Sequence, residues 1–150
     1  MKAILREPKP CVLAFNFTGE RLEGLQSACE ALQYRFVHYT AAETPEAFTA
    51  PLGDLLEGHA PSASDLAPEM KLAMNALAFP DELLYLADLS NDGLDAFLSE
   101  LQKRALRVPL KAVATPTNGS WKPMALRSEL MEEHAAMQAA IEARRQQNEA

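Results

Sequence analysis

The sequence is poor in the residues that mark disulfide-rich, metal-binding and membrane-spanning proteins. It has two cysteines, Cys11 and Cys29, without a Cys/His cluster around them, so we predict two buried thiols and neither a disulfide nor a metal site. No apolar run approaches the roughly 20 residues that span a bilayer, so no membrane partner is expected. The first residues contain no long apolar core typical of a signal peptide, and we therefore expect a soluble cytoplasmic protein.

Basic residues are also scarce. Fourteen Lys and Arg stand against 21 Asp and Glu, which gives a formal net charge of −7 and a pI near 5.0. Such a chain repels a phosphate backbone, so no nucleic-acid partner is predicted. No glycine-rich phosphate loop is found, and no cofactor is expected. The three histidines, His38, His59 and His134, lack the spacing of a chelating pair, so no metal is predicted.

What the sequence does contain is a strand–turn–helix pattern that occurs twice. An apolar fraction of 48% with six glycines is typical of one globular domain. The first copy starts at Val12 and the second at Leu84, which equates Asn16 with Asp88 and Thr18 with Ser90. Each copy is an apolar strand that stops at a hydroxyl residue, whose side chain can cap the amphipathic helix that follows.

Strands are predicted at residues 11–17, 34–40, 82–89 and 108–114, with helices between them and after the last. The first and third strands are apolar on both faces, which is typical of central strands in a parallel sheet. We therefore predict an α/β fold with a four-stranded, mostly parallel sheet of order 2-1-3-4 and helices on both faces. Right-handed crossovers would place the two repeat helices on opposite faces. A ferredoxin-like α+β fold is the alternative, in which Thr18 and Ser90 would point to opposite edges.

In a parallel sheet the polar residues that follow the strands would meet at one edge. Ligands bind there at the point where strand order reverses, and helix N-termini at that edge favour an anion. The ligand-binding candidates are Asn16, Thr18, Gly19, Asp88, Ser90, Asn91, Thr115, Thr117, Asn118 and Trp121. Helix capping and turn formation explain several of these residues equally well. The hypothesis of a ligand site therefore depends on all of them meeting at one edge of the sheet.

A long C-terminal helix is predicted to start near Trp121. Its apolar residues recur near heptad spacing, which is typical either of packing on the sheet or of self-association. The interface candidates are Leu126, Leu130, Met137 and Ile141, and a homodimer is the assembly they would form. A second, methionine-rich helix over residues 66–77 is predicted to cover the core, with an adaptable binding surface as the alternative.

Several segments resemble the bacterial family called domain of unknown function 3783. The resemblance runs over residues 11–137 and is most specific in the stretch from Leu110 to Thr115 that leads to Trp121. It is also carried by Val12–Thr18, Glu20–Leu22, Pro51–Gly53, Glu82–Leu84, Leu94–Leu98, Asn118, Glu129–Leu130 and Glu132–His134. It implies a whole domain in a bacterial cytosol, and no catalytic residues follow from it. The chain departs from the family at residues 59–79, which look like an insertion, and at Asp88, where a small residue is expected.

The sequence thus predicts an N-terminal arm (1–10), one α/β domain (11–143) and a polar tail (144–150). Its expected role is that of a non-catalytic module that binds a small molecule or a protein. The alternatives are an enzyme acting on a small anionic substrate at the carboxyl edge of the sheet, and a homo-oligomer built on the C-terminal helix. No nucleophile–base pair is visible in the sequence, which favours the non-catalytic role.

Overall fold

The computed structural model describes residues 9–148. Four strands form one sheet: β1 (Cys11–Phe15), β2 (Arg35–Tyr39), β3 (Leu83–Ala87) and β4 (Lys111–Val113). The helices are α1 (Gly19–Leu32), α2 (Leu52–Leu56), α3 (Pro68–Leu77), α4 (Asn91–Lys103) and α5 (Pro123–Asn148). Short 3-10 helices occur at Pro45–Thr49, Ala63–Asp65 and Asn118–Ser120. Most of the predicted N-terminal arm and the last two residues of the predicted tail lie outside the described residues.

The strand order is β2-β1-β3-β4, as predicted. The outer pairs β1–β2 and β3–β4 are parallel, so the sheet is mostly parallel, but the central pair β1–β3 is antiparallel. The expectation that all strands end at one edge is therefore wrong. The physical reason lies in the strands themselves: β1 and β3 are buried along their whole length, and burial on both faces identifies a central strand without fixing its direction. The ferredoxin-like alternative has the right central direction but the wrong strand order.

The two units of the sequence repeat are related by a pseudo-twofold axis through the middle of the sheet. Leu13 pairs with Tyr85, and the register runs symmetrically outward to Cys11–Ala87 and Phe15–Leu83. Asp88 lies 72 positions after Asn16, and Tyr85 lies the same distance after Leu13. Equivalent residues of the two units are therefore related by this axis, so the residues that follow β1 and those that follow β3 lie at opposite ends of the sheet.

Helices cover both faces of the sheet, as predicted, but the two repeat helices share one face. Val12 and Leu84 point to this face and pack against Cys29 of α1 and Phe97 of α4 in one buried cluster. The expectation of opposite faces is wrong because a twofold axis normal to the sheet keeps both right-handed crossovers on the same side.

The other face is covered by the connection between β2 and β3 and by the start of α5. Leu13, Phe15 and Tyr85 point to it, and Phe15 lies with Phe48 and Phe79 in an aromatic cluster whose ring centroids are 5.0–5.9 Å apart. The segment from 41 to 80 thus supplies the second layer, as the sequence indicated.

Element ends follow from local chemistry. β1 ends at Phe15 because Asn16 adopts a left-handed conformation, with φ of 66°. β4 is an edge strand, and Pro109 precedes it outside the ladder, as predicted. α5 begins at Pro123, whose missing amide hydrogen is tolerated at a first helical position, and it stays helical to Asn148.

Candidate functional site

The predicted ligand-binding residues divide between two opposite ends of the sheet. The Asn16 edge contains Asn16, Thr18 and Gly19, which follow β1. The Ser90 edge contains the residues that follow β3 and β4, namely Asp88, Ser90, Asn91, Thr115, Thr117, Asn118 and Trp121. Because β1 and β3 are antiparallel, these two groups cannot line one crevice. The residues required for the predicted enzyme, Thr18 and Ser90 among them, are not brought together; ligand binding at either edge stays a prediction.

Asn16 organises its edge through its side chain. Its Nδ2 donates to the carbonyls of Phe79 (2.6 Å) and Asp81 (2.8 Å), and its Oδ1 accepts from the Ala41 amide (2.8 Å). One side chain therefore fastens the loops that precede β3 and follow β2. Both the Nδ2 and the Oδ1 atom of Asn16 are therefore hydrogen-bonded within the protein.

Two ion pairs hold the same loop from either side. Arg21 of α1 forms a bidentate pair with Glu82, with both N–O distances 2.7 Å. Arg127 of α5 donates to Asp81 at 2.7 Å. In the bidentate pair, two N–H groups of the planar Arg21 guanidinium face the two oxygens of the Glu82 carboxylate. The loop before β3 is thus tied to a helix on each face of the sheet, which gives these charged groups a structural role.

The two repeat helices are capped differently. The Ser90 hydroxyl accepts from the Gly93 amide at 3.0 Å, as predicted. Thr18 occupies the corresponding N-cap position, but its hydroxyl makes no capping bond, so the predicted side-chain cap is wrong there. The helix after Thr18 starts with Gly19 in a left-handed conformation, φ 57°, whereas no positive φ occurs in the first turn of α4.

Asn118 is the most enclosed of the predicted site residues. Its Oδ1 accepts from the Tyr85 hydroxyl (2.5 Å) and from the Thr115 amide (2.8 Å), while its Nδ2 donates to the Val113 carbonyl (3.1 Å). The side chain joins the sheet, the turn after β4 and the buried Tyr85. These contacts explain Asn118 as the organiser of a turn.

The described residues hold few groups suited to acid–base or metal chemistry. No group of three or more His, Cys, Asp or Glu that could bind a metal occurs within residues 9–148. Both cysteines are buried and unpaired, and burial raises the pKa of Cys11 and raises that of Cys29 to about 12, so both stay protonated thiols. Burial lowers the pKa of His38, whose Nε2 accepts from the Phe17 amide at 3.1 Å. No helix between residues 9 and 148 is long and apolar enough to cross a membrane.

The predicted interface residues extend from the core to solvent along α5. Leu126 is buried and Leu130 half-buried against the sheet, so the first turns of α5 pack on the domain. Every described residue from Met131 onward is exposed. We call residues 131–148 the distal segment of α5. Met137 and Ile141 lie on it, 62% and 48% exposed.

Sequence patterns gave no sign of a cleft that lies beside β4. Its two cationic residues, Arg107 and Lys111, stand in an irregular connection and in a short edge strand, where no periodicity predicts which side chains converge. Only the packing of α4 against that connection brings them together.

Comparisons with known proteins agree with part of the predicted resemblance. A search of curated proteins and a search of solved structures returned no match. A family model does match, that of Domain of unknown function (DUF3783), over residues 82–137. The match covers β3, α4, β4 and the first half of α5, whereas the resemblance predicted for residues 11–81 lies outside it. Over its second strand–helix–strand unit and the helix that follows, the chain therefore resembles the DUF3783 family.

Proposed function

We propose that this protein is a non-catalytic protein-binding module that self-associates through the distal segment of α5. The observation that carries the proposal is the continuation of one apolar stripe beyond the domain. Leu126 and Leu130 use that stripe to pack on the domain, and Met137 and Ile141 continue it on a segment whose described residues are all exposed. A helix that runs into solvent with apolar residues on one side gains stability when a partner covers them.

The charges of α5 support a second copy in antiparallel orientation. Glu129, Glu132 and Glu133 lie near the domain, and Arg144 and Arg145 lie near the far end. An antiparallel pair would set the acidic end of each helix against the basic end of the other, while a parallel pair would oppose like charges.

A specific register follows from the pair Glu133 and Arg144. At 3.6 residues per turn, Arg144 lies in line with Leu126 at one edge of the apolar stripe, and Glu133 lies about 20° outside the same edge. Setting Glu133 of one copy against Arg144 of the other puts the twofold axis between Gln138 and Ala139. The same register opposes Met137 to Ala140 of the other copy, so a large side chain meets a small one.

The experiment is sedimentation equilibrium on the full chain over a range of concentrations. We expect a dimer that dissociates on dilution, and we expect the double variant Met137→Glu/Ile141→Glu to remain a monomer throughout. The matched control Ala135→Glu/Ala139→Glu adds the same charges at the same spacing on the opposite side of the helix and should still dimerise. A monomeric wild type, or equal loss of dimer in both variants, refutes the proposal.

The setting we propose is a bacterial cytoplasm. Support comes from the resemblance to DUF3783, the acidic composition and the two unpaired buried thiols, which a reducing compartment preserves. Fractionation of a bacterium that carries the protein tests this setting. Recovery in the soluble cytoplasmic fraction is expected, and recovery with periplasmic or membrane fractions would contradict it.

A further inference from the structure

A cleft of about 380 Å³ lies between the end of α4 and β4. Aliphatic side chains form much of its lining, and two cationic residues join them; the residues that matter here are Leu98, Leu101, Leu106, Val108, Arg107 and Lys111. Its volume falls at the lower end of the range of about 300–1,000 Å³ that is typical of small-molecule sites. None of the residues predicted to bind a ligand lines it.

The two cations of the cleft form no ion pair with a carboxylate in the part of the chain that the structure describes. Four other basic residues of the described chain, Arg21, Lys103, Arg104 and Arg127, form ion pairs with carboxylates. Within residues 9–148 neither Arg107 nor Lys111 forms one, although the chain carries an excess of acidic residues. The Lys111 ammonium donates to the carbonyl of Val108.

The environment of Lys111 disfavours its charge. Burial, and secondarily the neighbouring Arg107, lower the pKa of the Lys111 ammonium. Arg107 is exposed to solvent and Lys111 is half-buried, so the cost of holding two like charges close together falls mainly on Lys111. A bound anion would relieve both effects, because it attracts each cation and replaces part of the lost hydration.

We propose that this cleft binds a small amphipathic anion, an aliphatic monocarboxylate of medium chain length. The carboxylate contacts Arg107 and Lys111, and the hydrocarbon chain packs mainly on Leu98, because Leu101, Leu106 and Val108 are already largely buried. Leu98 is 38% exposed, so a ligand can reach the apolar lining from solvent. An inorganic anion would contact the two cations and leave the exposed part of Leu98 uncovered, whereas a neutral hydrocarbon would cover Leu98 and leave both cations without an anion. This site is independent of self-association through α5.

The test is calorimetric titration of the full chain with octanoate and, in parallel, with octanol. Octanol has the same chain length and no charge. We expect saturable one-site binding of octanoate and at least tenfold weaker binding of octanol. Similar affinities for the two, or no saturation by octanoate below the concentration at which it aggregates, would overturn the proposal.

Variants then locate the site. Lys111→Met and Arg107→Gln should each weaken octanoate binding at least tenfold, while Lys103→Met, on the exposed side of α4, should leave it unchanged. Octanoate should also shift the methyl NMR signals of Leu98, Leu106 and Val108 in the wild-type chain, a readout that requires no substitution. Unchanged methyl signals, or wild-type affinity in Lys111→Met, contradict the assignment.

Discussion

At the scale of single residues, two of the side chains predicted to bind a ligand, those of Asn16 and Asn118, link separate parts of the chain to one another. Asn16 and Asn118 each bond to two or three separate parts of the chain. The sequence placed Asn118 correctly in the turn after the fourth strand, but it placed Asn16 inside the first strand, which in the structure already ends at Phe15. It could not show their partners, because Asn118 meets Tyr85 from 33 positions away.

Replacing Asn118 by alanine should destabilise the fold. The substitution leaves the buried Tyr85 hydroxyl and the Val113 carbonyl without their partner, and an unsatisfied buried group costs about 1–3 kcal/mol. Urea unfolding measures the change. The neighbouring Thr117 is exposed, so Thr117→Ala should stay within about 0.5 kcal/mol of wild type. A value for Asn118→Ala as small as that of the control would refute the fastening role.

His38 should make stability depend on pH in a defined direction. Burial lowers its folded-state pKa below the ordinary value of about 6.5, so the unfolded chain binds the proton more readily. The free energy of unfolding should therefore fall as pH drops below about 6.5 and level off once the folded-state pKa is passed. Protonation also removes the acceptor of the Phe17 amide.

Urea unfolding at pH 7.5 and 5.5 tests this dependence. Gln at position 38 retains an acceptor without titrating, so His38→Gln should lose most of the decrease. His134→Gln, on the exposed distal segment of α5, should retain it. An equal decrease in all three chains would assign the effect to other groups.

At the scale of elements, the repeat extends to the way the helices end. Gln33 after α1 and Ala105 after α4 are left-handed, with φ of 61° and 55°, and they are equivalent positions of the two units. In both, the next amide bonds back to the last turn: Tyr34 to Cys29 (2.9 Å) and Leu106 to Leu101 (2.8 Å). The helical spacing of apolar residues predicted α1 and α4 themselves. These C-caps could not be predicted, because neither position carries the expected glycine.

Glycine at position 105 should stabilise the protein. Alanine in a left-handed conformation is strained, and glycine relieves that strain, with an expected net gain of about 0.5–1 kcal/mol in the free energy of unfolding. Thermal unfolding of Ala105→Gly measures the gain. Ser99→Gly, at an exposed position inside α4, should instead lower stability by about 0.5 kcal/mol. Destabilisation by both substitutions would contradict the assigned cap.

At the scale of the whole molecule, the direction of one strand pair decides where a site can form. The apolar patterns predicted the strand order and the layers, because burial on both faces marks β1 and β3 as central. They did not determine that β3 runs against β1, and this direction separates Thr18 from Ser90. The heptad-like spacing of Met137 and Ile141 predicts self-association through the distal segment of α5, where both side chains are exposed.

Spin labels on the distal segment test antiparallel self-association most directly. Gln138→Cys places a label beside the proposed axis, and Gln147→Cys places one near the far end. Cys11 and Cys29 are buried protonated thiols and should not react with the label. Both substituted positions flank the apolar stripe, so the labels should not block pairing.

With a rise of about 1.5 Å per residue and an interhelical distance of about 10 Å, antiparallel pairing predicts Cα separations of about 10 Å at position 138 and about 27 Å at position 147. A short distance at position 138 together with a long one at position 147 is the result we expect. Equal short distances at both positions would show parallel pairing, and absence of dipolar coupling at position 138 would show that the distal segment does not pair with a second copy.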